Sequence, residues 1–347
     1  NPHFVKSPLK QYNQWDFISL VERYDIEYEE RSHSQLFCLH SAKDILNMLL
    51  KECDSAGVAV ITETDVIEVV NVHQAQANSP DFEDVRIRYQ TICNENGRKR
   101  ALNCNSLVVA SGALSIPSLG GSGYGYELAK QFQLPLVARQ AGLVPFMFTD
   151  STKSMCERLS GLALEVDVIC NGMVFTENIL FTHRGVSGPV ILQISNYWSP
   201  GDDVQVNLIP SLDISAWLLQ TKVSHSKSLL RTLLAKKLSK NLVSELQQLF
   251  WSKEADRPLA EISDKRLQEI GGKLNAWALK PSGTEGYRTA EVTLGGVDTD
   301  SINSKTMEVK AQAGLFFIGE VLDVTGHLGG YNFQWAWSSG YTAGLNV

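Results

Sequence analysis

At 347 residues the chain can hold two or three domains with substantial buried cores. Hydrophobic content of 44% and charged content of 20% are ordinary for a globular protein, and no apolar run approaches the roughly 20 residues needed to span a membrane. A formal net charge of −7 excludes a generally nucleic-acid-coating surface but leaves room for a local basic patch. The six cysteines (Cys38, Cys53, Cys93, Cys104, Cys156, Cys170) show no CxxC spacing and no clustering with histidine, so they predict reduced thiols, a cytoplasmic protein and no metal site. No basic-then-apolar signal segment opens the chain, which starts at Asn1-Pro2-His3 with neither a methionine nor a strand. Oligomeric state is not legible.

In chain order, Leu9, Tyr12, Trp15, Ile18 and Val21 recur every third residue and predict an amphipathic helix over 8–22. A second helix is predicted over 42–55, with Ile45, Leu46, Leu49 and Cys53 on one face; Ser41 stands before it as an N-cap, with Asp44 three positions on. β-rich runs follow at 58–62, 66–72 and 85–93. Ser106 to Ala113 then reads as a buried parallel strand running into a glycine turn, since continuous Val and Leu suit a strand covered on both faces. Beyond Pro145 the texture changes. Leu164, Val166 and Val168 alternate with polar residues, Asn171-Gly172 supplies a two-residue turn, and Met173 to Thr182 resumes the strand. An antiparallel, barrel-like insert is expected over 146–211, a helical insert over 212–279, and a return to strand over 288–297.

The last segment carries the most chemistry. The apolar run Leu315 to Ile318 ends in Gly319-Glu320, a glycine-rich loop spans Gly326 to Gly330, and Phe333 to Gly344 places small residues and tryptophans at helical spacing. Strand, carboxylate, glycine loop and helix start, in that order, suit a nucleotide cofactor. The acid can hold a sugar hydroxyl, and bare backbone N–H groups can meet a phosphate or an electron-rich ring edge.

Taken together the segments resemble the YhiN/BaiN/RdsA-type flavoproteins, which are NAD(P)/FAD-dependent, aminoacetone-oxidase-like oxidoreductases. The matching pieces include Asn1 to Pro8, Gln14-Trp-Asp-Phe17, Gln35-Leu-Phe-Cys38, Val108-Val-Ala-Ser-Gly112 and Leu143-Val-Pro-Phe146. Further on come Leu180 to Pro189, Gly283 to Val297 and Gly319 to Gly340. The resemblance implies an α/β fold: a glutathione-reductase-type, Rossmann-like FAD domain from 1–145 and 298–347, a β-barrel-like insert from 146–211 and 280–297, and a helical insert from 212–279. One departure stands out. The family opens with a strand and a GxGxxG turn for the FAD pyrophosphate, and neither is present. Gly121-Ser-Gly-Tyr-Gly125 imitates the fingerprint but lies about ten residues beyond its strand, where a true fingerprint sits on the strand end. The chain thus resembles a member lacking its first βαβ unit: either the native N-terminus is longer, which the absent methionine favours, or half of the cofactor site has been lost.

By the same resemblance, Gly319 and Glu320 approach the ribityl–pyrophosphate region of FAD. Thr325 and Gly326 line the loop, and Gly329, Gly330, Tyr331 and Asn332 present backbone to the flavin ring. Ala110, Ser111 and Gly112 match the second flavin motif with serine in place of threonine, and Val66 holds the strand position whose backbone meets adenine. The residues themselves suggest His183 and Arg184, at a turn after a strand, as binders of an anionic or carbonyl-bearing substrate or as a proton source. Glu285, Tyr287 and Arg288 form a similar polar cluster, Cys38 is a candidate proton donor, and His327 is a weaker one.

Family members are linked to reduction of activated C=C bonds, ribosomal-RNA dihydrouridine formation and amine oxidation. The resemblance implies hydride delivery from flavin N5 to uracil C6, with an acid protonating C5. Lys222, Lys227, Arg231, Lys236, Lys237 and Lys240 lie in a stretch, 221–240, without Asp or Glu, which suits phosphate contacts on RNA. The expectation is therefore reduction of uridine in 23S ribosomal RNA with NADH or NADPH as electron donor. Two alternatives stay open: a small-molecule flavoprotein acting on an enone or aminoketone, and a non-catalytic RNA-binding relative.

Overall fold

The computed structural model describes residues 1–31, 35–72 and 87–347. They form two compact units, Asn1–Gln140 with Thr293–Val347, and Ala141–Val292.

In the first unit the predicted helix over 8–22 is two helices, Lys6–Gln11 and Gln14–Arg23. The break lies at Asn13, which is extended (φ −105°, ψ −178°); its side chain accepts from the Trp15 N–H while Asp16 accepts from the Asn13 N–H. This reciprocal cap starts a new helix inside an unbroken apolar pattern. The second predicted helix is Lys43–Ser55. Ser41 Oγ accepts from the Lys43 N–H (3.2 Å) and the Ser41 N–H donates to Asp44 (3.3 Å), so the expected pair forms, although Ala42 is the residue flanking the helix. The expected strand over 58–62 is absent. Val58, Val60 and Ile61 are exposed in irregular chain, and no described segment pairs with them.

A three-stranded antiparallel sheet follows, Thr64–Asn71, Tyr89–Glu95 and Arg98–Cys104. Residues 85 and 86 of the predicted 85–93 run lie outside the described residues. Asn96 and Gly97 turn the last hairpin with φ of 49° and 83°, the left-handed pair such a turn needs. Leu107–Val109 pairs in parallel with Leu315–Phe317. The first of these strands was expected to be covered on both faces; Val109 is buried, but Val108 is 37% exposed. The core of this unit gathers Val109, Tyr126, Phe132, Val297, Phe316, Phe317 and Trp335. Each such side chain contributes about 1.5–3 kcal/mol when fully buried, which fixes the strand pair whose ends carry the candidate site.

The second unit holds a seven-stranded antiparallel sheet. Its order is Trp277–Leu279, Val204–Asn207, Ala163–Cys170, Met173–Phe181, Gly185–Ser187, Phe146–Met147 and Gly283–Thr284. The long hairpin at its centre runs from Leu180↔Ala163 to Met173↔Cys170 and turns at Asn171 and Gly172 (φ 48° and 80°). Val166, Val168, Ile179, Phe181, Val204 and Val206 point into one core with the helices Pro189–Ser195, Ile214–Ser224, Leu230–Leu234, Lys240–Phe250 and Asp264–Asn275. Asp213, Ser239 and Ser263 cap three of these helices, accepting from backbone N–H groups three residues on at 3.0–3.3 Å.

Among the described residues no helix is long and apolar enough to cross a membrane, and no group of three or more His, Cys, Asp or Glu could hold a metal.

Candidate functional site

In the first unit the parallel strands Leu107–Val109 and Leu315–Phe317 end side by side, and the Ile318 N–H donates to the Val109 carbonyl at 3.1 Å. Ligands of open α/β sheets bind beyond such carboxyl ends. Ala110, Ser111 and Gly112 leave one strand here, and Ile318, Gly319 and Glu320 leave the other. The C-terminal helix, Tyr331–Gly344, fixes the second turn: the Gly319 N–H donates to Ser339 Oγ (3.0 Å), and Trp335 Nε1 donates to the Gly319 carbonyl (3.0 Å).

Glu320 turns back onto the strand Val292–Val297. Its Oε1 accepts from the Thr293 N–H at 2.7 Å and from Ser115 Oγ at 3.1 Å. Thr293 Oγ1 in turn lies 2.9 Å from Ser115 Oγ and accepts from the Leu114 N–H at 3.1 Å. Thr325 Oγ1 donates to the Thr293 carbonyl at 3.4 Å. No donor among the described residues reaches Glu320 Oε2.

The glycine loop is tied to its helix by Asn332. The Asn332 side chain accepts from the Gly326 N–H (2.8 Å) and donates to the carbonyls of Gly326 (3.1 Å) and His327 (3.4 Å). Gly329 and Gly330 both take positive φ, and Gly330 flanks the helix with no side-chain cap. The first turn of a fourteen-residue helix thus offers its backbone N–H groups and the positive end of its dipole. Gly112, Gly319 and Gly330 also have positive φ, and nothing stands within 4 Å of where a Cβ would be.

Of the remaining residues picked out in this unit, Val66 lies in the separate three-stranded sheet, beside an irregularity of register, and its side chain is exposed. Cys38 ends the strand Leu36–Cys38; burial first, then the Asp44 charge, pushes its thiol up. No hydrogen bond among the described residues joins Val66 or Cys38 to Glu320 or the glycine loop.

In the second unit His183 and Arg184 stand on a tight turn. Thr182 Oγ1 accepts from the N–H groups of Arg184 (3.3 Å) and Gly185 (3.2 Å). Arg184 pairs with Glu285 at 3.5 Å, and the Glu285 side chain is only 12% exposed, so arginine and carboxylate form one cluster with His183 exposed beside it. The His183 charge also acts on Glu157, whose carboxyl is held low chiefly by the hydrogen bond from Lys153.

The basic stretch is less uniform than its sequence suggested. Lys222 donates to Asp264 and to the Ile262 carbonyl (both 2.7 Å), and Arg231 pairs with Asp256 at 3.0 Å. Lys237 lies over the Trp217 ring, 5.7 Å from its centroid. Lys227, Lys236 and Lys240 are exposed, with no ion-pair partner among the described residues. The neutralising acids lie outside 221–240, where a local charge count does not reach. Ser115 and Thr293 were not among the expected site residues, although Thr293 lies in the matching piece Gly283 to Val297. The signal there for Thr293 is the Thr-Leu-Gly-Gly run, where paired glycines inside a strand signal a close backbone approach; Ser115 has no such signal.

Comparison with known proteins decides the family. The HI0933-like protein Rossmann domain matches residues 1–346. The chain belongs to this family. That family contains the YhiN/BaiN/RdsA-type flavoproteins that the sequence resembles. Two curated relatives are named ribosomal RNA dihydrouridine synthase, from Haemophilus influenzae and Escherichia coli. Each is 44% identical, with all of this chain covered and 83% and 82% of the relatives' own lengths. A third, the 3-dehydro-bile acid delta(4,6)-reductase of Clostridium scindens, is 28% identical over 99% of this chain and 82% of its own. The mixed α/β architecture agrees with the family's Rossmann description.

Proposed function

We propose that this protein is an FAD-dependent oxidoreductase that reduces uridine to dihydrouridine in 23S ribosomal RNA, with NADH or NADPH as electron donor. One observation carries the reading: 44% identity along the entire chain to two proteins named ribosomal RNA dihydrouridine synthase. The proposal includes a glutathione-reductase-type seating of the cofactor, a cytoplasmic location, and the division of the chain into FAD domain, barrel-like insert and helical insert.

The residues of the first unit fit the ribityl and ring part of FAD, while the GxGxxG turn that would seat its pyrophosphate is not in this sequence. Open space at Gly112, Gly319 and Gly330, an uncapped helix start, and a carboxylate with one oxygen unclaimed are what a polyol and an anionic ring edge require. Glu320 Oε2 would accept from a ribityl hydroxyl. Ser111 and Gly112 would line the opposite strand end, and the backbone of Gly329 to Asn332 would face the ring. The dipole of the Tyr331–Gly344 helix would stabilise negative charge there. When bound there, FAD would supply hydride chemistry suited to C6 of an enone-like uracil.

Proton and substrate handling fall to side chains. Cys38 is a candidate proton donor, although burial, which pushes its thiol up, makes it a weaker acid. Arg184, held by Glu285, presents a fixed guanidinium for a carbonyl or phosphate oxygen, and His183 offers an exchangeable proton beside it. Lys227, Lys236, Lys237 and Lys240 supply phosphate contacts. A second reading, a reductase of small conjugated carbonyl compounds, draws on the bile-acid reductase relative.

The test is to map dihydrouridine in ribosomal RNA from a strain lacking the gene and from the same strain complemented. Loss of one or more dihydrouridines, restored by the wild-type gene and not by Glu320→Ala, is expected. Unchanged RNA modification would move the assignment to the small-molecule reading.

A further inference from the structure

The Glu320 carboxylate is gripped through one oxygen only, and counting protons fixes the direction of that grip. Thr293 Oγ1 already accepts from the Leu114 N–H at 3.1 Å. Ser115 Oγ lies within hydrogen-bond reach of both Thr293 Oγ1 (2.9 Å) and Glu320 Oε1 (3.1 Å), yet has a single proton. A carboxylate oxygen only accepts, so that proton goes to Glu320. Ser115 Oγ then accepts from Thr293, whose hydroxyl proton has no other claim. The result is a one-way chain from the Leu114 N–H through Thr293 and Ser115 to Oε1, with the Thr293 N–H donating to the same oxygen at 2.7 Å. Thr293, at the centre of the chain, is fully buried, while Ser115 and Glu320 are half-buried, and donors in series polarise one another.

We infer that Ser115 and Thr293 are positioning residues for the cofactor, holding Glu320 by Oε1 so that Oε2 is left to accept from a sugar hydroxyl. The inference rests on the reading of Glu320 as an FAD ligand. Neither residue needs to touch the cofactor. Their effect passes through the carboxylate, which otherwise has several rotamers open to it and would lose ordering entropy on binding.

The test is FAD affinity of the full chain, stripped of flavin and titrated while flavin fluorescence is followed. Glu320→Ala should weaken binding at least about 10-fold, the size of one charge-assisted hydrogen bond. Ser115→Ala and Thr293→Val should each weaken it about 5- to 10-fold, while Thr293→Ser, which keeps the hydroxyl, should stay near wild type. The decisive measurement is Ser115→Ala in the Glu320→Ala background, where no further loss is expected because the only route for its effect is gone. An equal loss in both backgrounds, or a Thr293→Ser chain as weak as Thr293→Val, would overturn the positioning roles. If Glu320→Ala alone leaves affinity unchanged, the cofactor reading of Glu320 falls and takes the inference with it. If Glu320→Ala weakens binding while Ser115→Ala and Thr293→Val do not, only the positioning roles fall. Should Ser115→Ala not fold, Ser115→Cys, nearly isosteric but a weak donor, carries the same test with an intermediate loss expected.

Discussion

Reversing the charge of Lys236 and Lys237 tests the proposed RNA-facing surface, and the structure sets both the size of the effect and its control. Lys236 and Lys237 are exposed; among the described residues Lys236 has no ion-pair partner, and Lys237 is engaged only by the Trp217 ring. A cation that neutralises one phosphate of a single strand contributes about 0.7 to the slope of log affinity against log salt, or roughly 4-fold in affinity near 0.15 M salt. Two lost contacts therefore predict a slope flattened by about 1.4 and affinity lowered about 15-fold, with the added repulsion of Lys236→Glu and Lys237→Glu beyond that. Lys222 is the control. Its ammonium is already engaged by Asp264 and the Ile262 carbonyl, so Lys222→Gln should change the slope by less than half as much per charge removed. Fluorescence anisotropy of a labelled ribosomal-RNA fragment across a salt series reads both quantities. Flavin content, measured on the same samples, should not move in the double variant. Equal slopes for Lys222→Gln and the charge-reversed chain would refute the reasoning, since pairing in the fold would then not decide which cations meet RNA.

Arg158 grips Glu245 through both carboxylate oxygens at 2.7 Å, and that hydrogen bond holds the Glu245 carboxyl below its ordinary range. The resulting stability is present above the unfolded glutamate pKa and is lost as pH falls through the lower folded value; Arg158→Ala should thus lower the urea midpoint at pH 7, and the gap should close in acid. Gly295 sits at φ +76° with the Ala138 carbonyl oxygen where a Cβ would go, so Gly295→Ala should cost about 2–4 kcal/mol in a denaturation curve or leave the chain insoluble. Burial pushes the Cys156 thiol up to about 12. Peptide mass mapping after iodoacetamide at pH 8 should therefore find Cys156 unmodified in the native protein and alkylated once the chain is unfolded.

Features encoded over a few residues were legible in the sequence. The turn at Asn171-Gly172, the strand Leu315–Phe317 and the helix beyond the glycine loop all appear where periodicity and turn chemistry put them. The same turn signal at Asn96-Gly97 went unread, and with it the strand Arg98–Cys104, because its flanks are polar rather than alternating. At Asn13 an unbroken apolar spacing hid a helix start that only the cap reveals. The 58–62 run shows the opposite failure: Val58, Val60 and Ile61 have high strand propensity, yet a strand exists only where a partner supplies hydrogen bonds. The candidate site divides in the same way. Glu320 and the glycines lie in one contiguous motif, whereas Ser115 and Thr293 reach Glu320 across 205 and 27 residues. Asp264 reaches Lys222 across 42. No local pattern encodes such pairings; only the packed core brings them together.

Reduction of uridine in ribosomal RNA is the reaction proposed for this chain. It is tested most directly by incubating the full chain, loaded with FAD, with NADH or NADPH and 23S ribosomal RNA from a strain lacking the gene. Nuclease digestion and mass spectrometry then follow. Dihydrouridine is expected at a defined position, dependent on the reduced nicotinamide and lost in Glu320→Ala. Oxidation of NADH or NADPH on a small enone, with no dihydrouridine above the protein-free control, would contradict it.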